Sequence, residues 1–81
     1  MKISYTPRFI RNSRTFGRET YAKLEKQIRF LLCDLKYPSL HAKKYDEQKG
    51  IWQARVDDSV RFYFKISSDT YILLDIRRHK D

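Results

Sequence analysis

The sequence predicts an α+β fold of order β-α-α-β-β-β: a short N-terminal strand and a helical hairpin packed on an antiparallel β-meander. Three observations predict it. The last third of the chain alternates apolar and polar residues with period two, which is the mark of half-buried strands. A stretch in the second quarter repeats apolar residues every three or four positions, the mark of a helix with one buried stripe. Between the periodic segments stand proline, glycine and short polar connections, with no repeat, no low-complexity tract and no long linker.

From the start, Lys2 to Tyr5 reads as a short strand with Ile3 and Tyr5 pointing inward. Thr6 and Pro7 read as an N-cap followed by proline at the first helical position, a place where the missing N–H costs nothing. The first helix runs to about Arg14 and buries Phe9 and Ile10, and the chain turns at Phe16-Gly17. In the second helix Tyr21, Leu24, Ile28, Leu31 and Leu35 form the apolar stripe, with Lys23, Lys26, Gln27 and Asp34 facing away and Pro38 ending it. The lone Cys33 falls on this helix as a packed thiol. Ser39 to Gly50 is polar and basic and reads as a loop entering the meander.

Three strands follow, Ile51 to Val56, Val60 to Ile66 and Tyr71 to His79. Their core face holds Trp52, Ala54, Val56, Val60, Phe62, Phe64, Ile66, Ile72, Leu74 and Ile76. The opposite face holds Arg55, Arg61, Tyr63, Lys65, Arg77 and His79, with Tyr71, Leu73 and Asp75. A tight connection at Asp57-Asp58-Ser59 places Val56 opposite Val60, and so Arg55 opposite Arg61. The second hairpin admits a register with Arg61 facing Arg77 and His79 on the diagonal. Like charges facing across strands destabilise a sheet, so an anion between these guanidinium groups explains the arrangement, with Asp75 as a partial neutraliser.

Length and charge bound the partners. With 81 residues the chain reads as a single domain, 1–81, near the lower limit for one hydrophobic core. The formal charge of +8, from 18 Lys and Arg against 10 Asp and Glu, points to nucleic acid or another anionic surface. No apolar stretch approaches the ~18 to ~20 residues that span a bilayer, and the Met-Lys-Ile-Ser-Tyr start lacks the apolar run of a signal peptide. One cysteine forms no internal disulfide and fits a reducing cytoplasm.

Three segments together resemble a known family. They are Tyr37-Pro-Ser-Leu-His-Ala-Lys-Lys44, Gly50-Ile-Trp-Gln-Ala-Arg-Val-Asp-Asp-Ser-Val-Arg-Phe62 and Asp69-Thr-Tyr-Ile-Leu-Leu-Asp-Ile-Arg-Arg-His79. The order of Pro-x-Leu-x-x-Lys-Lys, Trp-x-x-Arg, an arginine six residues on and a histidine at the end of the last strand resembles the RelE/ParE superfamily of type II toxin–antitoxin toxins, over nearly the whole length. That resemblance implies a cytoplasmic toxin, held by a cognate acidic antitoxin, that cuts messenger RNA in the ribosomal decoding site without a metal or cofactor.

The reaction so implied is transesterification. A base takes the proton of a ribose 2′-hydroxyl, the oxygen attacks the adjacent phosphorus, and an acid protonates the departing 5′-oxygen. Such chemistry needs cations for the phosphorane and a proton carrier near neutrality. Arginine offers a planar donor fork, and an unperturbed imidazole titrates near pH ~6.5. By matching position, His79 takes the acid or base role and Arg61 contacts the scissile phosphate. Arg55, Lys43, Lys44 and Arg77 supply further phosphate contacts, and Tyr63 is a candidate for base stacking. The sequence departs from the family where Lys80 stands after His79, a place several relatives give to tyrosine. The second proton carrier stays open: His41, Tyr45 and Glu47 occupy the region, and His41 reads either as that group or as an ordinary loop histidine. A non-enzymatic toxin of DNA gyrase is the alternative activity within the superfamily, and a solitary RNA binder is a third.

Overall fold

The structure is a computed structural model that describes residues 1–79; Lys80, the residue after His79, lies outside the described residues. Strand β1 (Lys2–Tyr5) leads into helix α1 (Pro7–Ser13), and α2 (Arg18–Cys33) follows after a short turn. A 3-10 turn at Pro38–Leu40 precedes β2 (Lys43–Asp46), β3 (Ile51–Arg55), β4 (Val60–Ser67) and β5 (Thr70–Arg78). The strands form one five-stranded sheet in the order β1-β5-β4-β3-β2, with β1 parallel to β5 and every other pair antiparallel. Segment 39–50, expected to be a loop, therefore contains a strand. Its polar, basic residues form the far edge of the sheet, where charge on an edge strand discourages pairing with another chain.

Local chemistry accounts for the helices. The Thr6 hydroxyl accepts from the Phe9 N–H at 3.2 Å while Pro7 opens α1, as the sequence implied. Seven residues bury only one i, i+4 pair, Phe9 and Ser13, so Ile10 is exposed rather than buried. Tyr5 is also exposed, because β1 is an edge strand and the Phe9 ring, 5.8 Å away, is its aromatic cover. Gly17 does not terminate α1 in a left-handed conformation; it is the N-cap of α2 in extended backbone.

In α2 the buried positions are Leu24, Gln27, Ile28 and Leu31, while Tyr21 is half exposed on the overhanging first turn. Gln27, expected to face away, lies inside the stripe by spacing. Its amide donates to the Ser39 and Arg55 carbonyls at 3.0 and 2.8 Å and accepts from the Ser39 hydroxyl at 3.1 Å. The helix stops at Cys33, well before Pro38. Asp34 turns extended there, and its carboxylate accepts from the Lys36 N–H at 2.9 Å, which competes with helix propagation. Cys33, two residues beyond Leu31, lies across the helix from the buried stripe, so its thiol is exposed rather than packed.

The core sits between α2 and one sheet face, with Leu31, Leu40, Phe62, Phe64 and Leu73 fully buried. Trp52 faces Phe64 across β3 and β4, as the alternation implied, with ring centroids 6.3 Å apart. The expected core face of β5 is half wrong. A bulge places an extra residue, Leu74, between the Tyr63–Asp75 and Phe64–Leu73 pairs. Ile76 stays in the core, but before the bulge the facing reverses: Tyr71 and Leu73 are buried, Ile72 and Leu74 are not, and Ile66 at the strand end is exposed. Among the described residues, no helix is long and apolar enough to cross a membrane.

Candidate functional site

The face of the sheet away from α2 carries the polar half of each strand. The Asp57 carboxylate closes the β3–β4 turn by accepting from the Ser59 and Val60 N–H groups, both at 2.9 Å. Burial alone pushes the Asp57 acid up, but those two bonds and Lys23, 3.5 Å away, outweigh it and hold the group below its ordinary range. This turn sets the β3–β4 register, with Arg55 opposite Arg61, and across β4 and β5 Arg61 pairs with Arg77; both pairs are as expected from the sequence. Just beyond β5, the His79 N–H donates to the Ser59 carbonyl at 2.7 Å, so the histidine is tied beside the same turn.

Around these residues lies a cleft of about 450 Å³ lined by His41, Lys43, Gln53, Arg55, Arg61 and His79. Arg61 is its most buried cation, at 7% exposure. Its Nη1 donates to the Asp57 carbonyl at 2.6 Å and the Val60 carbonyl at 3.2 Å. Those bonds occupy one amino group and fix the plane of the guanidinium. The expected clash of unpaired arginines is relieved in this way: Arg61 by carbonyls, Arg77 by Asp75 at 3.1 Å, and Arg55 loosely by exposed Asp58 at 4.0 Å.

His41 enters the cleft from the opposite side. It caps the 3-10 turn with φ 46° and ψ 43°, a left-handed conformation uncommon for residues other than glycine, and its N–H donates to the Pro38 carbonyl at 3.2 Å. Leu40 beside it is fully buried, which anchors the turn. Gln27 bonds both to Ser39, two residues before His41, and to the backbone of Arg55, so one buried side chain braces two walls of the cleft.

Of the residues singled out from the sequence, His79, Arg61, Arg55 and Lys43 share this cleft, and His41 joins them. Lys44 does not. It alternates to the helix side, where its ammonium lies 5.1 Å from the centre of the Trp52 ring. Arg77 and Tyr63 share the sheet face but line a neighbouring trough of about 370 Å³. There the Arg77 guanidinium covers the Tyr63 ring at 4.8 Å, and Tyr63 is buried, so its ring is not an open platform for a base. Burial raises the Tyr63 phenol above its ordinary value, with Arg77 pulling the other way. Gln53 was missed, although it precedes Arg55 by two residues in the same alternation.

No protein-family model matches the chain, and no curated protein matches it in sequence. Solved structures do. A YoeB/ParE toxin from Agrobacterium tumefaciens is 16% identical with a TM-score of 0.78, over 99% of this chain and 100% of that one. YafQ from E. coli is 17% identical with a TM-score of 0.71, over 96% and 92%. The heterotetrameric YoeB-YefM toxin-antitoxin complex from Staphylococcus aureus contains a chain 10% identical with a TM-score of 0.77, over 99% and 98%. At such identities the likeness is one of fold, and this chain has the RelE/YoeB-like α+β fold that the sequence resemblance implied.

Proposed function

We propose that this chain is the toxin of a type II toxin–antitoxin pair, a cytoplasmic endoribonuclease that cuts messenger RNA on the ribosome. The observation that carries the reading is that two histidines, His41 and His79, line the same cleft as the buried Arg61. A binding surface for an anion needs only the cations. Two proton carriers around a fixed guanidinium are what a phosphodiester transesterification needs in addition.

In this reading the scissile phosphate lies against Arg61, whose guanidinium is held in place before substrate arrives by the Asp57 and Val60 carbonyls. A donor fixed in advance costs no reorganisation when charge builds on the phosphorane. Arg55 and Lys43 add positive charge at the rim. One imidazole takes the 2′-hydroxyl proton and the other gives a proton to the 5′-oxygen, leaving a 2′,3′-cyclic phosphate and a 5′-hydroxyl. The left-handed backbone of His41 supports this role, since sparsely populated conformations cost about 1–3 kcal/mol and persist where the surrounding structure enforces them.

The partner proposed is an acidic antitoxin; fold neighbours include the YoeB-YefM complex and the E. coli DinJ-YafQ toxin-antitoxin complex. A gyrase-directed toxin of the same fold would leave both imidazoles idle. The test is primer extension on messages from cells in which the protein is induced. The reading expects cuts within translated codons, abolished by His79→Gln and reduced by Arg61→Ala on the order of 10²- to 10³-fold, the cost of removing a preorganised donor. Intact message together with gyrase-dependent DNA damage would overturn it.

A further inference from the structure

Among the described residues, the trough beside the cleft holds two irregular residues of the sheet. Strand β2 carries an extra residue at Tyr45, between the Lys44–Trp52 and Asp46–Ile51 pairs, and β5 carries its extra residue at Leu74. Both line the trough. Bulges bend a strand and re-aim a side chain. Without Leu74, strand β5 would alternate without fault, Tyr71, Leu73 and Ile76 inward and Ile72, Asp75 and Arg77 outward, so the hydrophobic core does not call for it.

The bulge at Tyr45 brings its ring edge-on to Tyr63, with centroids 4.9 Å apart, and leaves Tyr45 54% exposed. Behind it Tyr63 is clamped between Tyr45 and Arg77. Lys65 and Arg8 complete a basic rim of exposed side chains around the ring. Asp75 is already engaged by the Asn12 amide at 2.6 Å and by Arg77. The trough also continues the cleft. Tyr45 follows Lys43 by two residues and Tyr63 follows Arg61 by two, each pair about 7 Å apart along its strand.

We infer that this trough is a nucleotide subsite, in which one base of single-stranded RNA next to the scissile step stacks on Tyr45 while Lys65 and Arg77 hold its phosphate. The inference deepens the endoribonuclease reading and rests on it. It moves the stacking role from buried Tyr63 to exposed Tyr45, with Tyr63 as the residue that positions it. An exposed aromatic ring ringed by cations suits a stacked base with its phosphate, since every base offers a π-face.

The test is binding of a fluorescent, fully 2′-O-methylated single-stranded RNA, which 2′-hydroxyl attack cannot cleave. Tyr45→Ala is expected to weaken binding on the order of tenfold, and Tyr45→Phe to stay within about twofold. Lys65→Ala is expected to lower the slope of log affinity against log salt by about 0.7, the share of one phosphate contact on a single strand. Circular dichroism checks that each exposed-site variant is folded. Wild-type affinity in Tyr45→Ala would overturn the subsite, and so would a loss confined to a poly-glutamate peptide, which would assign the trough to a protein partner. Ribosomal cleavage by a Tyr45→Ala protein that binds the probe normally would strike the subsite alone. Tyr45-dependent binding without any cleavage by the wild type would strike the enzymatic reading alone.

Discussion

Replacing Gln27 by leucine should damage both the stability and the cleft, although the side chain touches neither the cleft nor solvent. Its amide makes three hydrogen bonds, two of them to the carbonyls of Arg55 and Ser39. Leucine keeps the volume and removes all three. The Ser39 hydroxyl is at the surface and turns to water, but the two carbonyls face the interior and lose a donor. At roughly 1–2 kcal/mol for each, the total loss is about 2–4 kcal/mol. A domain of this size shifts its melting temperature by about 4–8 °C per kcal/mol, so the midpoint should fall by roughly 8–32 °C. Urea unfolding at low temperature measures the free energy, and an unchanged m-value shows that the same surface is exposed on unfolding. Cleavage by the fraction still folded should also slow, because the released carbonyls belong to Arg55 and to the turn that presents His41. A loss under about 0.5 kcal/mol, or a destabilised variant with full activity per folded molecule, would mean that Gln27 does not brace the cleft.

The Asp57 carboxyl has its folded-state pKa lowered, so its contribution is complete above the ordinary value of 3.8 and is lost as pH falls through the lower folded value. Asp57→Asn keeps the oxygen that accepts from Ser59 and Val60 but removes the charge, and urea titrations below about pH 4 should show wild-type stability converging on that of the variant; a constant gap would contradict the assignment. The exposed Cys33 predicts that Cys33→Ser changes stability by less than about 0.5 kcal/mol in the same assay, whereas a packed thiol would cost more. Arg61→Lys should be far from conservative, because an ammonium cannot hold the Asp57 and Val60 carbonyls and still present a planar fork; the expected result is a slowed cleavage rate with near-normal message binding, read by single-turnover kinetics.

How far the sequence went depends on which interactions obey short-range rules. The Arg55–Arg61 pair was legible because a tight turn and strict alternation decide its register; the Arg61–Arg77 pair matches the expected register only because the Leu74 bulge shifts the pairing by one residue between the β4–β5 turn and that pair. Thr6 and Pro7 were legible because capping is local. Tyr71 and Leu73 were not, because one inserted residue, Leu74, reverses the facing of everything before it and no local signal marks it. Gln27 was misassigned because its polarity suggested solvent, while its spacing suggested the core; three long-range hydrogen bonds decided for the core. Strand β2 was hidden by its own chemistry, since an edge strand of Lys43, Lys44 and Tyr45 carries no buried face to alternate. His41 stood undecided for a related reason: nothing within the chain's local pattern tells that a 3-10 turn will carry it to Arg61.

The central claim is that His41 and His79 act together on a phosphate held by Arg61. The most direct measurement is the single-turnover rate of cleavage of a ribosome-bound message. His41→Gln and His79→Gln should each lower the wild-type rate by about 10²- to 10⁴-fold while message binding stays near normal. A His41→Gln protein with the wild-type rate, or a message left intact by the wild type, would contradict it.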